Sequence, residues 1–372
     1  MKKEILDGAI QLRRQLHADP ELSLQEHQTK NRLIRFLREH TTFRIVDRGN
    51  WFYAVKQTDF ASARVIAFRA EMDALPMEET LELPHQSRTP GVSHKCGHDG
   101  HMAALCGLAL ELEQHPAKNT VILIFQPGEE TGQGALLCRE LIREANISEI
   151  YAFHNLSGYP EGMVVFRSGI TQPASEGIRI VLTGKPSHAA EPEQGRNPAG
   201  ALAAIALFSQ KLAAEEQEGM LLCTITGMQA GTGDFGISPG DGSICLTIRS
   251  DSESRMKELE RRILEYAGEQ AAQAGLSMEY RISDVFPETR NHLPCLEKVK
   301  QAAALAGIPV KEMEDLWRPS EDFGYYLKEC PGAIFYIGNG GHYPAVHTDA
   351  YDFNDRILEP AVTVFRNLID LM

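Results

Sequence analysis

The chain has 372 residues, 43% of them apolar, with a formal charge of -14. It exceeds the roughly 250–300 residues at which one core stops growing, so two domains are expected, and its acidity disfavours a nucleic-acid backbone, so no nucleic-acid partner is expected. No apolar run reaches the roughly 18–20 residues of a membrane span, the start Met1-Lys2-Lys3-Glu4 leads into a helical pattern rather than a signal peptide, and seven cysteines in so long a chain suit a reducing compartment, the cytoplasm, rather than a disulfide framework.

Residues 5–40 read as amphipathic helix interrupted at Asp19-Pro20, with Ile10, Leu12 and Leu16 on one face and Leu33, Ile34 and Leu37 on another. Val65-Ile66-Ala67-Phe68 reads as a buried strand ending at Arg69, with Glu71 and Asp73 just past it. Gly100 to Leu112 is an Ala- and Leu-rich helix. Val121 to Phe125 is a second apolar strand, turned by Pro127-Gly128, and residues 134–145 are helical. Ile150 to Phe153 is a third strand ending at His154, and Ala333 to Gly338 a later one with His347 beyond it. Apolar strands with polar residues at their carboxyl ends, separated by helices, predict an α/β sheet with its site beyond those ends.

The pattern changes after about residue 173. An alternating strand (176–182), a helix (198–214), strands at 220–227 and 242–249, a helix (252–275) and a strand (278–282) give the order β-α-β-β-α-β. That order fits a split-βαβ, ferredoxin-like α+β module. Because the site-like elements resume later, the module is read as an insertion. The expected domains are 1–173 and 285–372 for the first and last parts of a mixed-sheet catalytic domain, and 174–284 for the insertion.

The run His94-Lys95-Cys96-Gly97-His98-Asp99-Gly100-His101 concentrates thiol, imidazole and carboxylate. Such ligands suit Zn²⁺ or a related transition metal. Cys96 and His98 stand two apart on a loop entering a helix, where both can meet one metal or the thiolate can bridge two. Glu129 and Glu130 follow a strand. On extended chain adjacent side chains diverge, so one carboxylate can bind metal while the other faces a water. With His154 and His347, four separated segments can converge on one crevice. The chain therefore reads first as a hydrolase.

The ordered series of motifs resembles the M20 metallopeptidase family, in its amidohydrolase and aminoacylase branch. The resemblance rests on Leu16-His17-Ala18-Asp19-Pro20-Glu21-Leu22-Ser23 with Glu26, on Arg69 to Pro76, on Cys96-Gly97-His98-Asp99-Gly100-His101, on Phe125 to Glu130, on Pro319 to Phe323 and on Val346-His347-Thr348. It implies two divalent ions, Zn²⁺ or Mn²⁺ with Co²⁺ or Ni²⁺ also fitting the ligands, held by Cys96, His98, Glu130, His154 and His347. It implies Glu129 as general acid/base and Asp73 as the carboxylate that orients a ligand imidazole. By the same resemblance the insertion is a lid and dimerisation domain of a homodimer, and His188 in it donates a hydrogen bond to the substrate oxyanion. Arg249 is expected to grip a substrate carboxylate. The implied reaction is hydrolysis of an N-acyl amino acid or related small amide. A dipeptidase or small-peptide carboxypeptidase with the same metals is the enzymatic alternative, and a non-catalytic metal-binding scaffold the other.

Two positions depart from the branch. Gly236, in Gly236-Ile237-Ser238-Pro239, stands where an asparagine usually holds the substrate's carboxylate end. Glu71 stands where an aspartate is usual. His342 and Tyr343 are expected near the mouth of the site.

Overall fold

The computed structural model describes residues 1–58, 60, 63–215 and 219–372. They form two compact units. One comprises Met1–Thr171, Thr289–Leu316 and Glu321–Met372; the other comprises Gln172–Glu288 and Trp317–Ser320.

In the first unit the N-terminal periodicity yields α1 (Lys3–Ala18) and α2 (His27–His40), separated at Asp19-Pro20 as expected. Behind them, β-branched and aromatic runs form β1 (Arg44–Asp47), β2 (Phe52–Lys56), β3 (Val65–Glu71), β4 (Thr120–Gln126), β5 (Glu149–Ser157) and β6 (Val164–Phe166). Among the described residues these join Val310–Glu312 and Gly332–Gly340 in one mixed sheet. Its order is β1, β2, β4, β3, β5, Gly332–Gly340, β6, Val310–Glu312. The central neighbours β4, β3, β5 and Gly332–Gly340 run parallel. Both faces of such strands are covered, which explains their unbroken apolar sequences.

Helix α3 (His98–Gln114) is buried through nearly all its length. Its apolar sequence, with little amphipathic bias, requires that. It packs on α1, on β3 and on the C-terminal helix Leu358–Asp370. The core is tied by ring contacts: Phe52 stacks on Phe125 at 4.5 Å, and Phe365 meets Phe68 at 4.6 Å and Phe153 at 5.7 Å.

The second unit has strands Ala174–Thr183, Leu221–Ala230, Asp241–Ser250 and Ser277–Phe286, and helices Ala199–Glu215 and Glu253–Gln273. The sheet order is Leu221–Ala230, Asp241–Ser250, Ala174–Thr183, Ser277–Phe286, antiparallel throughout. This is the ferredoxin-like arrangement read from the β-α-β-β-α-β order. Ile178, Ile180, Leu182, Leu202, Ile205, Ile244, Leu246, Leu259 and Ile263 form its core.

Four expectations need correction, the first being that β3 runs on through Glu71 instead of ending at Arg69, paired to β4 up to Gln126. Residues 134–145 form two short helices, Gly134–Cys138 and Leu141–Glu144. At Arg139-Glu140 the hydrogen bonds tighten to three-residue spacing, from Ile142 N to Arg139 O and from Arg143 N to Glu140 O. His154 lies within β5 rather than after it, because the parallel ladder to Gly332–Gly340 continues through His154, Asn155 and Leu156. Glu129 and Glu130 do not lie on extended chain. They occupy a 3₁₀ turn, Glu129–Thr131, entered through left-handed Gly128 at φ 57. No helix of the described residues is long and apolar enough to cross a membrane.

Phe68 is fully buried among aromatic neighbours. Phe68→Ala should cost about 3–5 kcal/mol, read as a lowered urea midpoint with an unchanged slope.

Candidate metal centre

The loop before α3 carries the first ligand-type residues. Gly97 caps α3 at φ 102, and a Cβ there would lie 2.4 Å from Asn155 Oδ1 and 2.6 Å from the Tyr351 hydroxyl. Only glycine lets the chain turn there with Cys96 and His98 facing one point. Cys96 Sγ lies 3.4 Å from His154 Nε2, and the Asn155 amide holds the Cys96 carbonyl at 3.1 Å. His98 and His154 each turn Nδ1 to a backbone carbonyl, Asp73 O at 2.9 Å and Asn155 O at 2.8 Å. With that nitrogen as the donor, each ring directs its Nε2 lone pair into the centre.

After β4, Gly134 packs so closely that a Cβ would fall 1.7 Å from Pro127 O. That approach tightens the turn bearing Glu129 and Glu130. Asp73 Oδ2 accepts from Glu130 N at 2.9 Å and from Ser23 Oγ at 2.7 Å, while Asp73 Oδ1 lies 3.3 Å from His98 Nδ1. Asp73 thus joins the glutamate turn to His98. Glu26 pins the other end of the turn, accepting from Gly128 N at 2.7 Å. Burial, reinforced by Asp73, pushes the Glu26 carboxyl up to about 7.

His98 Nε2 stands 3.8 Å from Glu129 Oε2 and 3.9 Å from Glu130 Oε1, and His347 Nε2 stands 3.4 Å from Glu130 Oε1. Cys96, His98 and His154 bring ligand atoms within 4.8 Å of one another, and so do Cys96, Glu130 and His347. The two groups share the sulfur of Cys96. His98 Nε2 and Glu130 Oε1 are buried without a hydrogen-bond partner, a costly state that a cation between them would relieve. Burial and the Glu130 and Glu129 carboxylates push the Cys96 thiol well up. A cation would offset both and favour the thiolate. The residues therefore fit divalent cations, and a candidate dinuclear metal-binding site is present.

Beneath this centre Arg69 is fully buried. Its guanidinium bonds Glu71, Glu321 and Asp322 and lies over the Phe323 ring at 5.1 Å. Glu71 also takes a hydrogen bond from His101 Nδ1 at 2.7 Å, and His101 Nε2 faces Asn155 Oδ1 at 2.7 Å. The longer glutamate at position 71 thus spans Arg69 and His101. Glu129 is pushed well above the usual carboxylate range, first by burial and then by Glu321, Glu130 and Asp322.

The sequence reading missed a second buried cluster flanking the loop. His17 Nδ1 meets Asp99 and its Nε2 meets Glu79, both at 2.8 Å. Arg13 bonds Asp352 at 2.7 Å and Asp99 at 3.3 Å. The signal available was a histidine and an arginine on the apolar face of α1. His94, also in the loop, is buried with both ring nitrogens unpartnered, and burial holds it neutral with a pKa near 3.

In the second unit, Ser187-His188 pairs with Ile237-Ser238, so that His188 lies opposite Ile237 and Ala189 N donates to Gly236 O at 3.0 Å. His188 is exposed. Its Nδ1 accepts from Ala190 N at 3.1 Å, which puts the proton on Nε2. Gly236 N donates to Asp234 Oδ1 at 2.7 Å. Arg249 is half-buried, with Nη1 on Ser320 Oγ at 2.6 Å and on Arg318 O at 3.2 Å. His342 is exposed, and the Tyr343 hydroxyl donates to Asp352 O at 2.9 Å.

A mixed α/β sheet bearing a candidate two-cation centre with a neighbouring buried glutamate defines a metal-dependent hydrolase. The description Peptidase family M20/M25/M40 matches residues 67–371, and the chain belongs to that family. It is similar to an N-acetylcysteine deacetylase of Bacillus subtilis (strain 168), 31% identical with 91% of each chain covered. It is also similar to a thermostable carboxypeptidase 2 of Saccharolobus solfataricus, 31% identical over 90% of this chain and 87% of that one. Among solved structures it resembles the Bacillus subtilis YXEP protein, a dinuclear metal binding peptidase of the M20 family. The TM-score is 0.84 at 28% identity, with 100% of this chain and 99% of that one covered.

Burial opposes charge on His17 and His98, but hydrogen bonds from His17 to Asp99 and Glu79, and from His98 to Asp73, raise both to about 9 in the metal-free protein. A raised pKa stabilises the fold fully below the unfolded value, about 6.5, and that stability is lost as pH rises through about 9. Metal-free protein should lose several kcal/mol of unfolding free energy, on the order of 3 per histidine, between pH 6 and pH 10. Urea titrations should show a shallower fall for His17→Gln.

Proposed function

We propose that the protein is a two-metal amidohydrolase that cleaves the amide bond of an N-acyl amino acid or a related small N-acyl compound. Cys96, His98, Glu130, His154 and His347 would hold the ions, and Glu129 is the general acid/base. The observation that carries this reading is the pairing within one turn. Glu130 has an unpartnered buried oxygen facing His98 and His347, while adjacent Glu129 is held in a buried, carboxylate-rich position that favours its protonated form. A group that must take a proton and return it works best with its pKa drawn toward the working pH.

Bound Zn²⁺ or Mn²⁺ (or Co²⁺ or Ni²⁺, for the same ligands) would supply Lewis acidity at the scissile carbonyl and acidify a water. Glu129 takes the proton of the attacking water and passes it to the departing nitrogen, which must leave as a neutral amine. Asp73 keeps His98 oriented and the glutamate turn in place. His188, with its proton on Nε2, is the proposed donor to the oxyanion. Arg249 is the proposed carboxylate grip, exchanging its Ser320 bond for substrate. Gly236 offers no side-chain amide, so carboxylate recognition leans on Arg249.

A homodimer through the inserted module is part of the proposal. Leu221–Ala230 is an edge strand, with Leu222 and Met228 exposed at 37% and 50%, and Leu207 is 69% exposed on Ala199–Glu215. An apolar open edge of this kind favours a cover.

The similarity to a carboxypeptidase favours a second reading, cleavage of small peptides by the same centre. Amine release from N-acetyl, N-benzoyl and aryl-acetyl amino acids, measured beside dipeptides with Mn²⁺- or Zn²⁺-loaded protein, separates the two. The expected result is release from one acyl class. Turnover of dipeptides alone favours the second reading, and silence with two ions bound makes the protein a metal-binding scaffold. Glu129→Gln should retain both ions and lose about 10²–10⁴-fold in kcat. Undiminished turnover would remove Glu129 from the mechanism.

A further inference from the structure

Lys95 stands between His94 and Cys96, and the hydrolytic reading leaves it without a task. Its side chain is fully buried. The ammonium reaches Glu79 Oε1 at 2.6 Å, Tyr351 O at 2.8 Å and Asp349 O at 3.1 Å. Three acceptors saturate its three protons. Its own carbonyl accepts from His347 N at 2.7 Å. One residue therefore holds the 347–351 segment at three backbone positions.

The segment's other hydrogen bonds are local, from Tyr351 N to Thr348 O at 3.1 Å and from Thr348 Oγ1 to Ala345 O at 2.6 Å. Residues 347–350 are exposed, and the first buried side chain is Tyr351. His347 sits at φ 59, a left-handed conformation that costs a residue with a Cβ about 1–2 kcal/mol. Yet its Nε2 is kept 3.4 Å from Glu130 Oε1. The restraint on Lys95 runs back into the fold. Glu79 bonds His17, and His17 bonds Asp99, the neighbour of His98 on α3.

We infer that Lys95 is a positioning residue for His347. Its ammonium and carbonyl hold the 347–351 loop so that the imidazole stays at Glu130. Lys95 thereby governs the cation position formed by Cys96, Glu130 and His347, and not the one formed by Cys96, His98 and His154. This rests on the two-cation reading of the centre.

The test is Co²⁺ titration of metal-free, full-length protein against a competing chelator, with the thiolate-to-cobalt absorption band recorded. Wild type should bind two ions tightly, and His347→Ala should keep one. Lys95→Met, which preserves the apolar stem and removes the donors, should follow His347→Ala. Its second ion should weaken about 10–100-fold while the first ion and the thiolate band persist. If the stranded Glu79 prevents folding, Lys95→Met/Glu79→Gln removes that charge and reads the same way. Two tight ions in Lys95→Met, with one lost in His347→Ala, would overturn the inference and leave the two-cation reading standing. Equal weakening of both ions would mark a general structural role and also overturn it. Two tight ions in His347→Ala would overturn the assignment of His347 and the inference together.

Discussion

Charge neutralisation at the carboxyl ends of the central strands is the constraint on which the rest of the structure depends. Glu71, Asp73, Glu129, Glu321 and Asp322 are all buried there, with Glu130 partly so. Carboxylates do not leave water without compensation. Arg69 is shared by Glu71, Glu321 and Asp322, and burial pushes Asp322 up to about 7 despite it. Asp73 is compensated by His98, Ser23 and a backbone amide. What is left over faces the sulfur of Cys96 and the imidazoles of His98 and His347. The excess is the electrostatic reason a pair of cations suits this place.

The second cluster, on the other side of the Cys96 loop, is balanced internally. Arg13, His17 and Lys95 interleave with Asp99, Glu79 and Asp352. Between these networks runs the segment that carries Cys96 and His98. Its two flanks are tied to different elements, α1 on one side and β3 and β5 on the other. The ligand-type atoms are thus held by backbone and by paired charge rather than by packing alone, which suits a site whose geometry must be kept within fractions of an ångström.

The α/β class, the helix break at Asp19-Pro20, the buried central strands and the inserted β-α-β-β-α-β module were legible because each depends on local periodicity. So were the residues that converge at the centre, since thiol, imidazole and carboxylate at apparent strand ends carry a recognisable chemistry. Strand ends were less legible. Nothing local tells His154 and Asn155 to remain extended; their pairing to Gly332–Gly340 does. The Glu129-Glu130 turn was misread as extended because its form depends on Gly128 and on the approach of Gly134 to Pro127. The pairings in the clusters around Arg69 and His17 were not legible, since partners such as Arg69 and Glu321, or His17 and Glu79, are far apart in the chain.

The sequence by itself determined the chemical inventory and the element types, because side-chain chemistry and periodicity are properties of short stretches. It also carried the family, through motifs whose order survives without coordinates. Only the tertiary structure decided which imidazole nitrogen faces the centre and which carboxylates are matched by Arg69. It alone showed the Lys95 ammonium on the carbonyls of Asp349 and Tyr351. Those outcomes depend on distances between residues remote in sequence, and hydrogen bonding and charge pairing are set by such distances rather than by composition.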